Sequence, residues 1–259
     1  MSASPDRRAL MLREMGLGPQ WHLRGAAVAA EVSVEAPEPA VAAAPLSHIN
    51  SDDRRSAIMR MDWTPIKASV ASCTACPLHE RRNKTVFGVG DENADWLFVG
   101  EGPGADEDAL GDPFVGQAGK LLDSMLAAIK LKRGENVYIA NVVKCRPPGN
   151  RNPEPAEALA CEPYLHRQIE LIKPTLIVAL GKVAAVNLLA REATVASLRH
   201  KVHQYRGIPL IVTYHPAYLL RSLSEKAHAW EDLCFAVDTM AGLAHAKPAQ
   251  AEANLPQAG

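Results

Sequence analysis

The chain has 259 residues, with 28 Lys and Arg against 29 Asp and Glu and a formal net charge of −1. That length can bury a proper core as one α/β domain or two small ones. The balanced charge excludes a globally basic nucleic-acid coat but leaves local patches open.

Glu31, Glu35 and Glu38 interrupt the alanine-rich stretch near the N-terminus, so no membrane span is expected. The opening residues, MSASPDRRALMLREMG, carry neither an uninterrupted apolar core nor a small-residue cleavage pattern. No signal peptide is expected, and a cytoplasmic location follows. In a reducing cytoplasm the five cysteines point to metal or redox chemistry rather than to a disulfide frame, and their odd number argues against full pairing.

Residues 1–62 read as a low-complexity extension, largely disordered. RRALMLREMGLGPQWHL predicts one short helix there, and AAVAAEVSVEAPEPAVAAAP is an Ala/Glu/Pro linker. Residues 63–242 read as the folded domain and 243–259 as a disordered tail. DWLFVG (95–100), NVYIANVV (136–143), TLIVALG (175–181) and IPLIVTY (208–214) predict four buried strands, short and rich in branched residues. Amphipathic stretches lie between and after them: GKLLDSMLAAIK, YLHRQIELIK, KVAAVNLLA and EKAHAWEDLCFAVDTM. Pro163 predicts a break with helix on either side. Strands alternating with helices predict a parallel sheet covered on both faces, which binds ligands at the carboxyl ends of its strands.

At those ends stand a glycine-dense acidic loop (GEGPGADEDALGDPFVGQAG), the run Asn141 to Arg146, Gly181-Lys182, and YHPAYLLR with His215. Taken singly each has an ordinary structural explanation, and a nucleotide loop is disfavoured because neither the GxGxxG register nor GK[ST] is present. Together they put carboxylates, an amide and an imidazole on one rim.

Cys73 and Cys76 form CxxC, while Cys145 and Cys161 stand with fifteen residues between them. Cys234 lies in an apolar helical pattern and reads as a small buried hydrophobe. Spacing favours joint ligation by Cys73, Cys76, Cys145 and Cys161 and leaves iron–sulfur and zinc open. Ligation would tether the loop RPPGNRNPEP at both ends. Lys144, Arg146 and Arg151 make a local charge of +3, and Arg199, Lys201, Arg206 and Arg221 form a second stretch without an acid. Both flank the rim and suit phosphate contact.

GEGPGADED…DPFVGQAG, NVVKCRPPGNRNPEP, LIVALG and YHPAYLL, in that order with the four cysteines, resemble the family 4 uracil-DNA glycosylases, the iron–sulfur branch of that superfamily. The resemblance runs from about Cys73 to about residue 240. It implies a three-layer α/β/α fold with a central four-stranded parallel sheet, a [4Fe–4S] cluster on the four cysteines, and uracil-containing DNA, single- or double-stranded, as partner of a monomer. The implied reaction is monofunctional hydrolysis of the uracil N-glycosidic bond. Glu101 and His215 would be catalytic. Gly102, Glu107, Phe114 and Asn141 would bind uracil, with Glu107 crowding its C5 position. Arg146, Arg151 and Arg221 would meet DNA, with Leu219 and Leu220 as an apolar wedge. The alternatives are a covalent uracil-trapping relative, disfavoured because the second-motif loop is short and has no histidine, and a non-catalytic iron–sulfur DNA-binding module.

Overall fold

The computed structural model describes residues 51–246. The expected N-terminal short helix and linker, and most of the C-terminal tail, lie outside the described residues.

Four strands pair in parallel: β2 (Trp96–Gly100), β3 (Val137–Asn141), β4 (Leu176–Leu180) and β6 (Ile208–Thr213). Two short antiparallel strands extend the sheet, β1 (Val89–Gly90) beside β3 and β5 (His203–Tyr205) beside β6, giving six strands in the order β1-β3-β2-β4-β6-β5. The parallel four are those expected from the apolar runs. The edge pair is too short to show a period-2 pattern, so nothing in composition announced it.

Alternate residues of the central strands enter opposite cores. Leu97, Val99, Ala140, Ile177, Ala179 and Val212 face α2 (Trp63–Ala71), α5 (Pro155–Ile172) and α6 (Gly181–Leu189). Phe98, Val137, Ile139, Val178, Leu180 and Ile211 face α4 (Gln117–Ala128) and α9 (Glu225–Ala246). The result is the expected three-layer α/β/α arrangement. The chain passes from β2 to β3 on one side, then to β4 on the other. The crevice at the carboxyl end of β2 therefore lies at the reversal of strand order, where such sheets bind ligands.

Two expectations change. Pro163 does not break its helix, since α5 runs unbroken from Pro155 to Ile172. The carbonyl that loses a donor belongs to Leu159, on the exposed side of the helix, where water can replace the missing N–H. The packed unit also begins before Trp63. Helix α1 (Ser51–Ile58) buries Ile58, pairs Arg55 with Glu162 of α5, and has Arg54 Nη1 donate to the Ala160 carbonyl at 2.9 Å. Among the described residues no helix is long and apolar enough to cross a membrane.

The carboxyl end of β6 is pinned from α9. The buried carboxylate of Asp232 accepts from Thr213 Oγ1 at 2.8 Å and from Arg199 Nε through both oxygens, at 2.9 and 2.8 Å. Truncating it strands a largely buried guanidinium. Asp232→Ala is expected to lower the unfolding free energy by about 3–5 kcal/mol, read as a shifted urea midpoint, whereas a shift equivalent to less than ~1 kcal/mol would show the pair to be dispensable.

Candidate functional site

A cavity of about 710 Å³ opens at the carboxyl rim of the sheet. Glu101, Gly102, Glu107, Phe114, Asn141 and His215 line one part of it, with Arg151 and Arg221 also contributing to the wall. Sequence motifs spread over more than a hundred residues thus share one space. Arg146, Leu219 and Leu220 are not among its lining residues.

Asn141 closes β3, paired in register with Gly100 of β2. Its side chain is 2% exposed, and its Oδ1 has no hydrogen-bond partner among the described residues. A buried amide oxygen left unpaired costs about 1–3 kcal/mol, so the position is built for a donor the protein does not supply. A Cβ at Gly100 would come within 2.5 Å of both Asn141 Oδ1 and Phe114 Cζ, so glycine is what lets the amide and the ring stand together.

Phe114 adopts φ 54°, in the left-handed region that is strained for an aromatic residue. Three contacts hold it there. Arg133 donates to the carbonyls of Pro113 and Phe114, both at 2.8 Å, and is anchored on Asp123 at 2.9 Å. Glu107 Oε1 accepts from the amides of Val115 and Gly116 at 2.9 and 3.0 Å, and Oε2 accepts from Gly104 N at 3.0 Å. The Phe114 carbonyl also lies against Gly119, where a Cβ would fall 1.7 Å from it. Both oxygens of Glu107 are committed to backbone amides, so its contribution to the pocket is to set the Phe114 turn. Arg133 went unnoticed in the sequence because it lies outside the strand-end motifs, and Gly119 because the last glycine of DPFVGQAG has no side chain to suggest a role.

His215 caps α8 (Pro216–Leu219), and its Nδ1 accepts from Ala217 N at 3.1 Å. In the neutral ring the proton therefore sits on Nε2. Burial pushes its pKa down to about 4, with Arg221 adding to the shift and Glu107 opposing it. The ring packs 5.5 Å from that of Phe114, and a Cβ at Gly181 (φ +90°) would come 2.8 Å from the His215 Cβ. Glu101 is half-buried just beyond β2, and burial pushes its carboxyl up.

Several expectations for the DNA-facing side chains are corrected. Leu219 is 1% exposed and packs with Met125, Ala229 and Leu233, so it belongs to the core and cannot act as a wedge, whereas Leu220 is 41% exposed. Lys144 is 1% exposed and donates to the Asn141 carbonyl at 2.9 Å, with burial pulling its pKa down to about 8. It carries no surface charge. Arg151 is held by both oxygens of Glu157 at 2.8 and 2.7 Å, while Arg146 donates to Asn150 at 2.7 Å. Arg199 is taken by Asp232. The acids answering Arg151 and Arg199 lie just outside the windows in which the basic stretches were counted.

The four cysteines come from three separate segments, yet their thiols act on one another. Burial raises the Cys145 thiol, Arg82 pulls it back, and Cys76 and Cys73 add to the rise. Burial pushes Cys161 up to about 12, with Lys144 opposing and Cys145 and Cys73 reinforcing. Donors are aimed at the sulfurs: Arg82 Nη1 at Cys145 (3.2 Å), Lys144 N at Cys161 (3.3 Å) and Arg54 Nη2 at Cys73 (3.7 Å). Among the described residues no three Cys, His, Asp or Glu side chains stand at metal-holding spacing. Thiols that influence one another electrostatically, three of them facing N–H donors, nonetheless have the chemistry of a thiolate-ligand site.

The depressed pKa of His215 has a measurable consequence. An unfolded chain protonates this ring near 6.5 and the folded one near 4. Between those values the unfolded state holds the extra proton, so this residue's contribution to stability falls as pH drops through that window. The His215 ring resonance is expected to stay constant from about pH 8 to about pH 5, and titration near the ordinary histidine value would refute the buried neutral ring.

Comparison with known proteins shows the family. The profile of the Uracil DNA glycosylase superfamily matches residues 87–234. A type-4 uracil-DNA glycosylase of Archaeoglobus fulgidus is 48% identical over 163 residues, covering 60% of this chain and 81% of that protein. One from Thermotoga maritima is 45% identical over 163 residues (62% and 84%), and one from Pyrobaculum aerophilum is 41% identical over 181 residues (67% and 92%). With Glu101, Phe114, Asn141 and His215 inside the matched residues 87–234, the chain belongs to the uracil-DNA glycosylase superfamily and, within it, to the type-4 family.

Proposed function

We propose that the protein removes uracil from DNA, hydrolysing the C1′–N1 bond and leaving an abasic site, as a cytoplasmic monomer in base excision repair. The single observation that carries this is the buried, unpaired Oδ1 of Asn141 between Phe114 and the cavity. Uracil offers N3–H to that oxygen and O4 to the amide nitrogen. Cytosine reverses both groups and would leave buried polar atoms unpaired.

The bond is stable because uracil must leave as an anion while the sugar takes on oxocarbenium character. Phe114 stacks on the base once it is flipped out of the helix. The electron pair of the breaking bond moves onto the ring, and the Nε2–H of neutral His215 hydrogen-bonds the charge that develops at O2. Glu101 orients the water that attacks C1′ and accepts its proton. Its raised pKa suits that role, since burial makes the carboxylate a better base. Glycine at Gly102 lets backbone approach the base closely. Exposed Leu220 is the residue placed to fill the gap left in the stack, with Arg146 and Arg221 toward phosphate.

Cys73, Cys76, Cys145 and Cys161 suit a [4Fe–4S] cluster. When bound it supplies a cross-link between the start of the domain, the loop after β3 and helix α5. Ligation requires thiolates, which burial disfavours in the free chain, and the donors from Arg82, Arg54 and the Lys144 amide answer that negative charge. We place the glycosylase unit from Ser51 to about residue 242.

Incubation with a uracil-containing oligonucleotide, followed by alkaline cleavage of abasic product, tests the activity. A protein–DNA adduct stable to denaturation would instead indicate trapping. Asn141→Ala is expected to lower kcat/KM at least ~100-fold with DNA affinity nearly unchanged. Unimpaired excision would remove the amide from base recognition. His215→Ala is expected to slow single-turnover cleavage by about two to three orders of magnitude, and a loss smaller than about tenfold would exclude its anion-stabilising role.

A further inference from the structure

The cavity is larger than one pyrimidine needs. At about 710 Å³ it lies in the range that holds a drug-sized ligand. Its wall continues past His215 to Tyr214, Tyr218 and Arg221. Those three side chains have no part in the chemistry at the base, yet their packing is ordered from the core outward.

The order begins at buried Asp232, which fixes the Arg199 guanidinium through both carboxylate oxygens at 2.9 and 2.8 Å. The Arg199 guanidinium lies 5.5 Å from the centroid of the Tyr214 ring. Tyr214 stacks on Tyr218, with ring centroids 5.4 Å apart and planes inclined by 26°. Tyr218 ends the series at the cavity wall, 38% exposed. Three residues on, the exposed Arg221 side chain has no ion-pair or hydrogen-bond partner among the described residues, in contrast to Arg151 and Arg199. A planar aromatic surface held in place beforehand, next to an unpaired cation, has the chemistry of a nucleotide site: the ring takes a base face and the guanidinium takes a phosphate.

We propose that Tyr218 is the stacking platform for the base adjacent to the flipped uracil, with Arg221 holding the phosphate between the two nucleotides. This rests on the uracil-excision reading and extends it to a second nucleotide of the substrate. A neighbouring base can reach Tyr218 only by leaving its own stack. That costs little in single-stranded DNA and more in a duplex. The site therefore favours uracil whose neighbour is unpaired, and the enzyme discriminates by the pairing state of the flanking nucleotide.

The test crosses the side chain with the base. Wild-type and Tyr218→Ala proteins are assayed on single-stranded uracil oligonucleotides with an intact neighbour, or with a tetrahydrofuran spacer replacing the 5′ or the 3′ neighbour. Loss of one base–aromatic stack corresponds to about a tenfold drop in kcat/KM. That drop is expected for Tyr218→Ala on intact single strands, for wild type on one of the two spacer substrates, and not again when both changes are combined. Tyr218→Trp should restore the rate, and inhibition by free uracil should be unchanged in every variant. The single-strand preference over a U·A duplex should shrink in Tyr218→Ala. Additive losses with both spacers, or an unaltered rate for Tyr218→Ala, overturn the platform. Anisotropy binding of the same oligonucleotides repeats the cross without chemistry. If wild type releases no uracil, the excision reading fails, while the binding cross still decides for or against Tyr218. Should Tyr218→Ala melt early, Tyr218→Leu keeps an apolar contact with Tyr214 and serves in its place.

Discussion

The site depends on a packing constraint at the ends of two adjacent parallel strands. Gly100 and Asn141 face each other in register, and the space a side chain would occupy at Gly100 is filled by the Asn141 amide and the edge of Phe114. Parallel pairing brings the two strand ends level, and the missing Cβ lets amide and ring share one volume. The amide oxygen is left buried without a hydrogen-bond partner among the described residues. Its desolvation cost is carried by the fold in advance, so a ligand with an N–H at that position gains the full benefit of the bond.

Around that constraint the protein invests in rigidity. Phe114 is held in a backbone conformation it would not adopt freely, by Arg133 from beyond α4 and by a Glu107 carboxylate whose two oxygens serve three amides. His215 is fixed in one tautomer by the amide of Ala217 and kept neutral by burial. Lys144 joins two regions that sequence treats as separate. Its backbone amide points at Cys161 while its ammonium holds the Asn141 carbonyl. The Asn141 amide and Cys145 are four residues apart in sequence, and Lys144 between them links Asn141 to Cys161 in space.

Charge was the least legible feature. Counting cations over windows predicted two basic stretches, but Lys144 is interior, and Arg151 and Arg199 are neutralised by acids elsewhere in the chain. Among the described residues, the cavity-lining cation without an acidic partner is Arg221. The same separation hid the role of Leu219. Both leucines after Tyr218 suit a wedge by composition, and the turn of helix α8 decides that one enters the core while the other meets solvent.

By itself the sequence determined the parallel strands, the helices between them, and the rim on which Glu101, Asn141 and His215 meet. These follow from local periodicity, from the rule that parallel sheets present ligand sites at carboxyl ends, and from the family resemblance of the motifs. Tertiary structure alone decided which polar groups of the described residues remain unpaired, which cations are spent on internal acids, that helix α5 tolerates Pro163, and that α1 packs on the domain. Each of these depends on burial and on three-dimensional pairing, which local composition and periodicity do not contain.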